Sequence, residues 1–127
     1  MTDINATQAD IENFIEKLTQ QTETNKEEGC IRFEDSMALI EAHYEFTPSA
    51  FTNGKQVNAA GENSGSCKLF SFAQIHQLTQ SQSLRLFGQY YFDVLDTPDG
   101  SDHQNIRQFI INGWPGICFP QLALASK

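Results

Sequence analysis

Asn63-Ser64-Gly65-Ser66-Cys67-Lys68-Leu69-Phe70-Ser71-Phe72 joins a polar, glycine-bearing turn to an apolar run through a cysteine. Ser66 reads as the N-cap of a helix in which Leu69, Phe70, Ala73 and His76 or Gln77 share a face, with Phe72 and Ile75 widening it. A helix that is apolar on most sides has to be surrounded, so this one is placed at the centre of the fold.

Upstream of it, Thr7 with Asp10 opens a helix from about Gln8 to Thr22 whose apolar stripe is Ile11, Phe14, Ile15 and Leu18. Glu23 to Gly29 holds no apolar residue and reads as a charged loop. A second helix from about Phe33 carries Phe33, Met37, Ile40 and Tyr44 on one face, and Glu34 and Asp35 suit the positive end of its dipole. The period then changes. Pro48 drives Thr47 into extended geometry, and Asn53-Gly54 is the strongest short-range turn signal in the chain. Its flanks, Ala50-Phe51-Thr52 and Gln56-Val57-Asn58, pair as a small hairpin, with a loop from Ala59 to Gly65 behind it.

Downstream, Thr79 and Gln82 form a capping box for a helix repeating Leu84, Phe87, Tyr91 and Leu95. Thr97-Pro98-Asp99-Gly100 is a tight turn, and Ser101 or Asp102 caps a last helix through Ile106, Phe109 and Ile110 that stops at Asn112-Gly113. Ile117-Cys118-Phe119 is a short extended segment before a loose tail. The sum is an α+β fold, mainly α, with about five helices around one aromatic core and a small β-hairpin, in a single domain over residues 1–127.

The 127 residues suffice for a core without disulfide or metal staples, and ten phenylalanines supply it. The net charge of −8 lies in the first part, where residues 1–48 hold 11 acids against 3 bases and residues 49–127 hold 5 against 5. No cluster of Lys and Arg exists to meet phosphates, so nucleic acid is excluded, and an acidic membrane surface would repel the chain. The acidic face serves solubility or, less simply, a basic partner. Cys30, Cys67 and Cys118 match neither a disulfide framework nor a CxxC metal site and read as reduced thiols in a cytoplasmic protein. The N-terminus lacks a Sec-type signal, and no run approaches the roughly 20 apolar residues of a membrane helix. Nothing in the sequence sets an oligomeric state.

Two readings of Cys67 are open. At a helix start beside Lys68 the dipole lowers a thiol pKa, making Cys67 a nucleophile with His103 as base and Asp102 or Asn105 orienting the ring. Alternatively Cys67 is a small hydrophobe packed at a helix start. His43, His76 and His103 have no metal-ligand spacing, so no metal is expected, and no cofactor is implied. Ser101 to Arg107 likewise reads two ways. It is either a capped first turn with Arg107 in an ion pair, or a polar site where His103, Asn105 and Arg107 meet the loop from Asn58 to Cys67. In the second reading Asn63, Lys68, Asn105 and Arg107 hold an anion or small molecule. Tyr90-Tyr91-Phe92 points in three directions from one helix, so at least one ring lies near the surface or a groove.

His43-Tyr44-Glu45-Phe46-Thr47-Pro48-Ser49-Ala50-Phe51, Asn53-Gly54, Gly65-Ser66-Cys67-Lys68, Phe87-Gly88-x-Tyr90-Tyr91, Pro98-Asp99-Gly100-x-Asp102-His103-x-Asn105-Ile106-Arg107 and Gly113-Trp114 together resemble the HopJ family, named as bacterial type III effectors of plant pathogens. The resemblance runs from about Phe33 to Leu124. It implies a small bacterial protein made in the cytoplasm, delivered by a type III system and acting on a host protein. It brings no reaction or catalytic residue with it. A cytoplasmic small-molecule-binding domain, or a thiol enzyme using Cys67 and His103, is the alternative.

Overall fold

The computed structural model describes the backbone of residues 3–21 and 30–127, with the side chains of 8–21 and 30–127. Among these residues the chain forms helices α1 (Asp3–Gln21), α2 (Phe33–His43), α3 (Ser64–Ile75), α4 (Gln80–Arg85), α5 (Gln89–Asp96) and α6 (Gln104–Asn112). Five short strands accompany them: β1 (Tyr44–Phe46), β2 (Phe51–Asn53), β3 (Gln56–Asn58), β4 (Ile117–Cys118) and β5 (Leu124–Ser126). The fold is α+β and mainly α. The charged loop expected over Glu23 to Gly29 lies outside the described residues.

Helix α3 is central because its middle turns are apolar on most sides, although Ile75, expected on that apolar face, is exposed at its C-terminal end. Cys67, Leu69, Phe70, Ser71, Phe72 and Ala73 are all buried in consecutive turns. Phe70 is the hub, with ring centroids 4.9 Å from Phe109, 5.4 Å from Phe87 and 6.1 Å from Phe51. Each fully buried phenylalanine contributes about 2–3 kcal/mol relative to exposure, so this cluster couples α3, the turn between α4 and α5, α6 and the sheet.

Strand order is β3-β2-β4 in one antiparallel sheet, and β1 pairs with β5 in another. The hairpin expected from Phe51 and Val57 is present, but its register pairs Asn53 with Gln56. Gly54-Lys55 is therefore the two-residue turn, with Gly54 at φ +58, as the first position of a type II′ turn requires. Asn53 belongs to the strand and is fully buried. The tail is not loose: Tyr44 aligns with Ser126 and Phe46 with Leu124, tying the C-terminus to the end of α2.

Three other expectations change. Helix α1 already runs from Asp3, so Thr7 lies inside it. The helix expected from Thr79 through Leu95 is two helices. Thr79 and Gln82 do form the capping box, but the chain breaks after Arg85 and restarts past Gly88 at φ +58. A Cβ on Gly88 would stand 2.3 Å from the Phe33 nitrogen and 2.6 Å from the Arg32 carbonyl carbon, so this glycine admits the start of α2 against the break. Finally, α3 is entered from Asn63 and α6 from His103, both at φ 50 and ψ 47, in place of caps at Ser66 and at Ser101 or Asp102. Asn and His are among the residues enriched in that left-handed region.

Candidate functional site

The N-terminal turns of α3 and α6 come together with the hairpin and the start of α5 around a cleft of about 460 Å³. One wall is aromatic: Phe33 meets Tyr90 edge-on at 5.1 Å, and Tyr90 lies over the His103 ring at 5.3 Å with a 34° tilt. Opposite are Gln56, Asn63, Ser66, Gln104 and Asn105. Among the described residues the lining carries no Lys, Arg, Asp or Glu, so it offers amides, a hydroxyl, an imidazole and π-faces. Gly65 sits at its edge because a side chain there would collide with Phe33, whose Cζ is 2.7 Å from the position of a Cβ.

A buried amide network backs the cleft. Asn58 Nδ2 donates to Asn105 Oδ1 at 3.2 Å, and Asn105 Nδ2 donates back to Asn58 Oδ1 at 3.1 Å. Asn63 Nδ2 donates to the same Asn58 oxygen at 2.7 Å, and Asn53 Nδ2 donates to the Asn105 carbonyl at 2.7 Å. Asn53, Asn58 and Asn105 are each at most 5% exposed. Four asparagines thus lock β2, β3, the α3 entry and the α6 entry together, and the bonds among Asn53, Asn58 and Asn105 are worth more for being out of water, while that of exposed Asn63 is part-buried.

Of the residues singled out from sequence, His103, Asn63 and Asn105 are brought to this cleft. Cys67 is not among its lining. Its side chain is 1% exposed, and its thiol donates to the Ser49 carbonyl at 3.6 Å. It is the fourth residue of α3, and its amide already bonds Asn63 O, so it stands inside the helix and not at its open end. Burial pushes its pKa up, which corrects the expectation that the helix dipole and Lys68 would favour thiolate.

Lys68 points elsewhere, to Glu41 at 3.5 Å and over the Phe46 ring at 4.9 Å. Arg107 is buried and committed to the loop before α6: its guanidinium donates to Thr97 O at 2.7 Å and to Asp102 Oδ1 at 2.6 Å. Asp102 is therefore occupied by Arg107. His103 Nε2 is 3.8 Å from its other oxygen. The cap position of α6 is taken by His103 in the left-handed conformation, one residue past Asp102.

The lining residues that sequence alone did not single out for a site are Phe33, Gln56, Phe87, Gln104 and Ile106, along with Asn53 behind them. Phe33 and Phe87 look like ordinary core positions, and Asn53 looks like a turn former. A signal existed only at Tyr90, where three consecutive rings forced one outward. Phe92 is buried, Tyr91 is half-buried and Tyr90 lines the cleft. Among the described residues no group of three His, Cys, Asp or Glu is placed to hold a metal ion, and no helix is long and apolar enough to cross a membrane.

Fold and cleft define a small, mainly helical α+β domain with one aromatic-walled polar depression between two helix entries. The chain belongs to the HopJ family: the family described as HopJ type III effector protein matches residues 11–124. That span takes in most of α1, which the sequence motifs did not reach. A solved structure described as "Crystal structure of unknown function protein VPA0580" is 45% identical, covers 91% of this chain and 92% of its own, and superposes with a TM-score of 0.83. No curated protein matches the chain.

Proposed function

We propose that this chain is an effector-like protein, made in the bacterial cytoplasm and exported by a type III system, that acts by noncovalent contact with a host protein. Family membership supports the effector part. The cleft carries the contact part: half-buried Phe33 and Tyr90 stand beside the amides of Gln56, Asn63 and Gln104. Rings next to uncharged amides suit a partner side chain with a planar or apolar body and a polar end. A full-length reporter fusion should leave a bacterium only when its type III apparatus works; retention in that cell removes the reading. Tyr90→Ala and His103→Ala proteins, checked for native circular dichroism, should be exported yet lose their effect on the host cell.

The cleft's volume favours a second reading, a small-molecule-binding domain, because about 300–1,000 Å³ is the usual range for such sites. In it His103, Asn63 and Asn105 hold the ligand. Cys67 is left out because a sealed, protonated thiol is a poor nucleophile. Thermal shift across a metabolite set tests this, and a flat response that His103→Ala does not alter discards it.

A further inference from the structure

A second depression, of about 390 Å³, lies between α5 and α6 and meets the cleft only at Gln104. Its floor is apolar and open to water. Leu95 is 47%, Ile110 37% and Ile111 72% exposed, and these are three of the six large hydrophobic side chains that remain exposed among the described residues. Such a cluster costs solubility, and clusters of this kind are characteristic of contact surfaces.

Charge decides what fits there. Of the five acids after residue 48, four are Asp93, Asp96, Asp99 and Asp102, all exposed, and Asp96 and Asp99 alternate along the chain with the lining residues Leu95, Pro98 and Gly100. Among the described residues the one base lining the groove, Arg107, is held by Asp102 and Thr97, and α6 carries no other charged side chain. Among the described residues, Asp93, Asp96 and Asp99 form no ion pair with any cation. Exposed Asp96 and Asp99, next in sequence to lining residues, thus set carboxylates without an ion pair beside an apolar trough. A second copy docking by the same face would set its own Asp96 and Asp99 against these, like charge to like.

We propose that the groove docks a basic amphipathic helix of a partner protein. Its apolar stripe packs on Leu95, Ile110 and Ile111, and its lysines or arginines face Asp96 and Asp99. The inference goes beyond the cleft reading and needs neither the cleft nor export.

The test uses the full chain and two synthetic peptides of roughly 18 residues, long enough to hold a helix, with one leucine stripe and either lysine or glutamate on the other face. The Leu/Lys peptide should bind by fluorescence anisotropy, more weakly as salt rises, and should move the amide NMR signals of residues 94–111. Leu95→Gln with Ile111→Gln, both surface changes, should weaken it about tenfold, while His103→Ala leaves it unchanged. The idea is overturned if the Leu/Lys peptide does not bind, if it binds the groove variant equally well, or if the Leu/Glu peptide binds as tightly. A dimer in sedimentation that the same variant dissolves also overturns it, by giving the groove to a second copy. Because no cell or secretion apparatus is used, failure here and failure of the effector reading are separate outcomes.

Discussion

Asn58 and Asn105 exchange two side-chain hydrogen bonds, at 3.2 and 3.1 Å, while each is at most 5% exposed. The pair joins the last residue of β3 to the first turn of α6 and so fixes the distance across the cleft. It gives the site its floor without using any charge.

Asn105→Ala should therefore be costly. It removes the two-way exchange with Asn58 and the 3.2 Å bond from Asn53, leaving Asn53 its bond to the Asn105 backbone carbonyl and Asn58 its weaker bond to Phe51 O at 3.3 Å, and weakened satisfaction of buried polar groups costs about 1–3 kcal/mol. A loss of about 3 kcal/mol in urea unfolding is expected, together with loss of any ligand response at the cleft. A change below about 1 kcal/mol would show that the network is not buried as described.

Gly88→Ala adds one methyl group and should nonetheless destabilise by more than about 2 kcal/mol. The methyl meets the backbone of Arg32 and Phe33, which cannot swing away as a side chain can, and the residue holds φ +58. The comparison is Gly61→Ala, also at positive φ (+88) but with nothing within 4 Å of the added carbon. Gly61→Ala should pay for backbone strain alone, so the smaller Tm drop belongs to it.

Thiol titration separates the cysteines. Cys118 is exposed and should react first, whereas Cys67 should stay protected until the protein unfolds. Cys67→Ala should cost about 1 kcal/mol of stability and leave binding at the cleft intact. Faster modification of Cys67 in the folded than in the unfolded protein would restore it as a nucleophile.

Two groups make stability depend on pH in the same direction. His76 is held below its ordinary value of 6.5 by burial, and it shares a 2.6 Å hydrogen bond with Tyr44, whose pKa burial raises. The unfolded chain thus takes up this proton more readily. The stability is fully present above 6.5 and is lost as pH falls through the lower folded value. Asp102 follows further into acid: the Arg107 hydrogen bond holds it below 3.8, so its contribution is present above that value and disappears as pH drops through the folded one. Urea midpoints should fall in two steps, the first absent in His76→Gln and the second in Asp102→Asn.

Much of the fold was legible before any coordinate. The apolar faces of Ile11 to Leu18 and of Leu69 to Ala73 fall at helical spacing, and Thr79 with Gln82 is a cap that the structure shows. The break at Gly88 was not legible, because Leu84, Phe87, Tyr91 and Leu95 keep helical period straight across it. What breaks the helix is Arg32-Phe33 arriving from a distant segment. The site was half legible. His103, Asn63 and Asn105 stand out as polar residues near turns, whereas Phe33, Phe87 and Gln56 acquire their place only when α2, the turn between α4 and α5, and the hairpin converge.

The sequence by itself determined the class of fold, the central position of α3, the family and the absence of a basic surface, because period, caps and charge are properties of neighbouring residues. Only the tertiary structure decided that Cys67 is sealed, that Arg107 is committed to its own loop and that Leu95 and Ile111 share one groove. Each of these depends on what another segment brings alongside, and burial, which raises the thiol's pKa and isolates the amide network from water, exists only once those segments have packed.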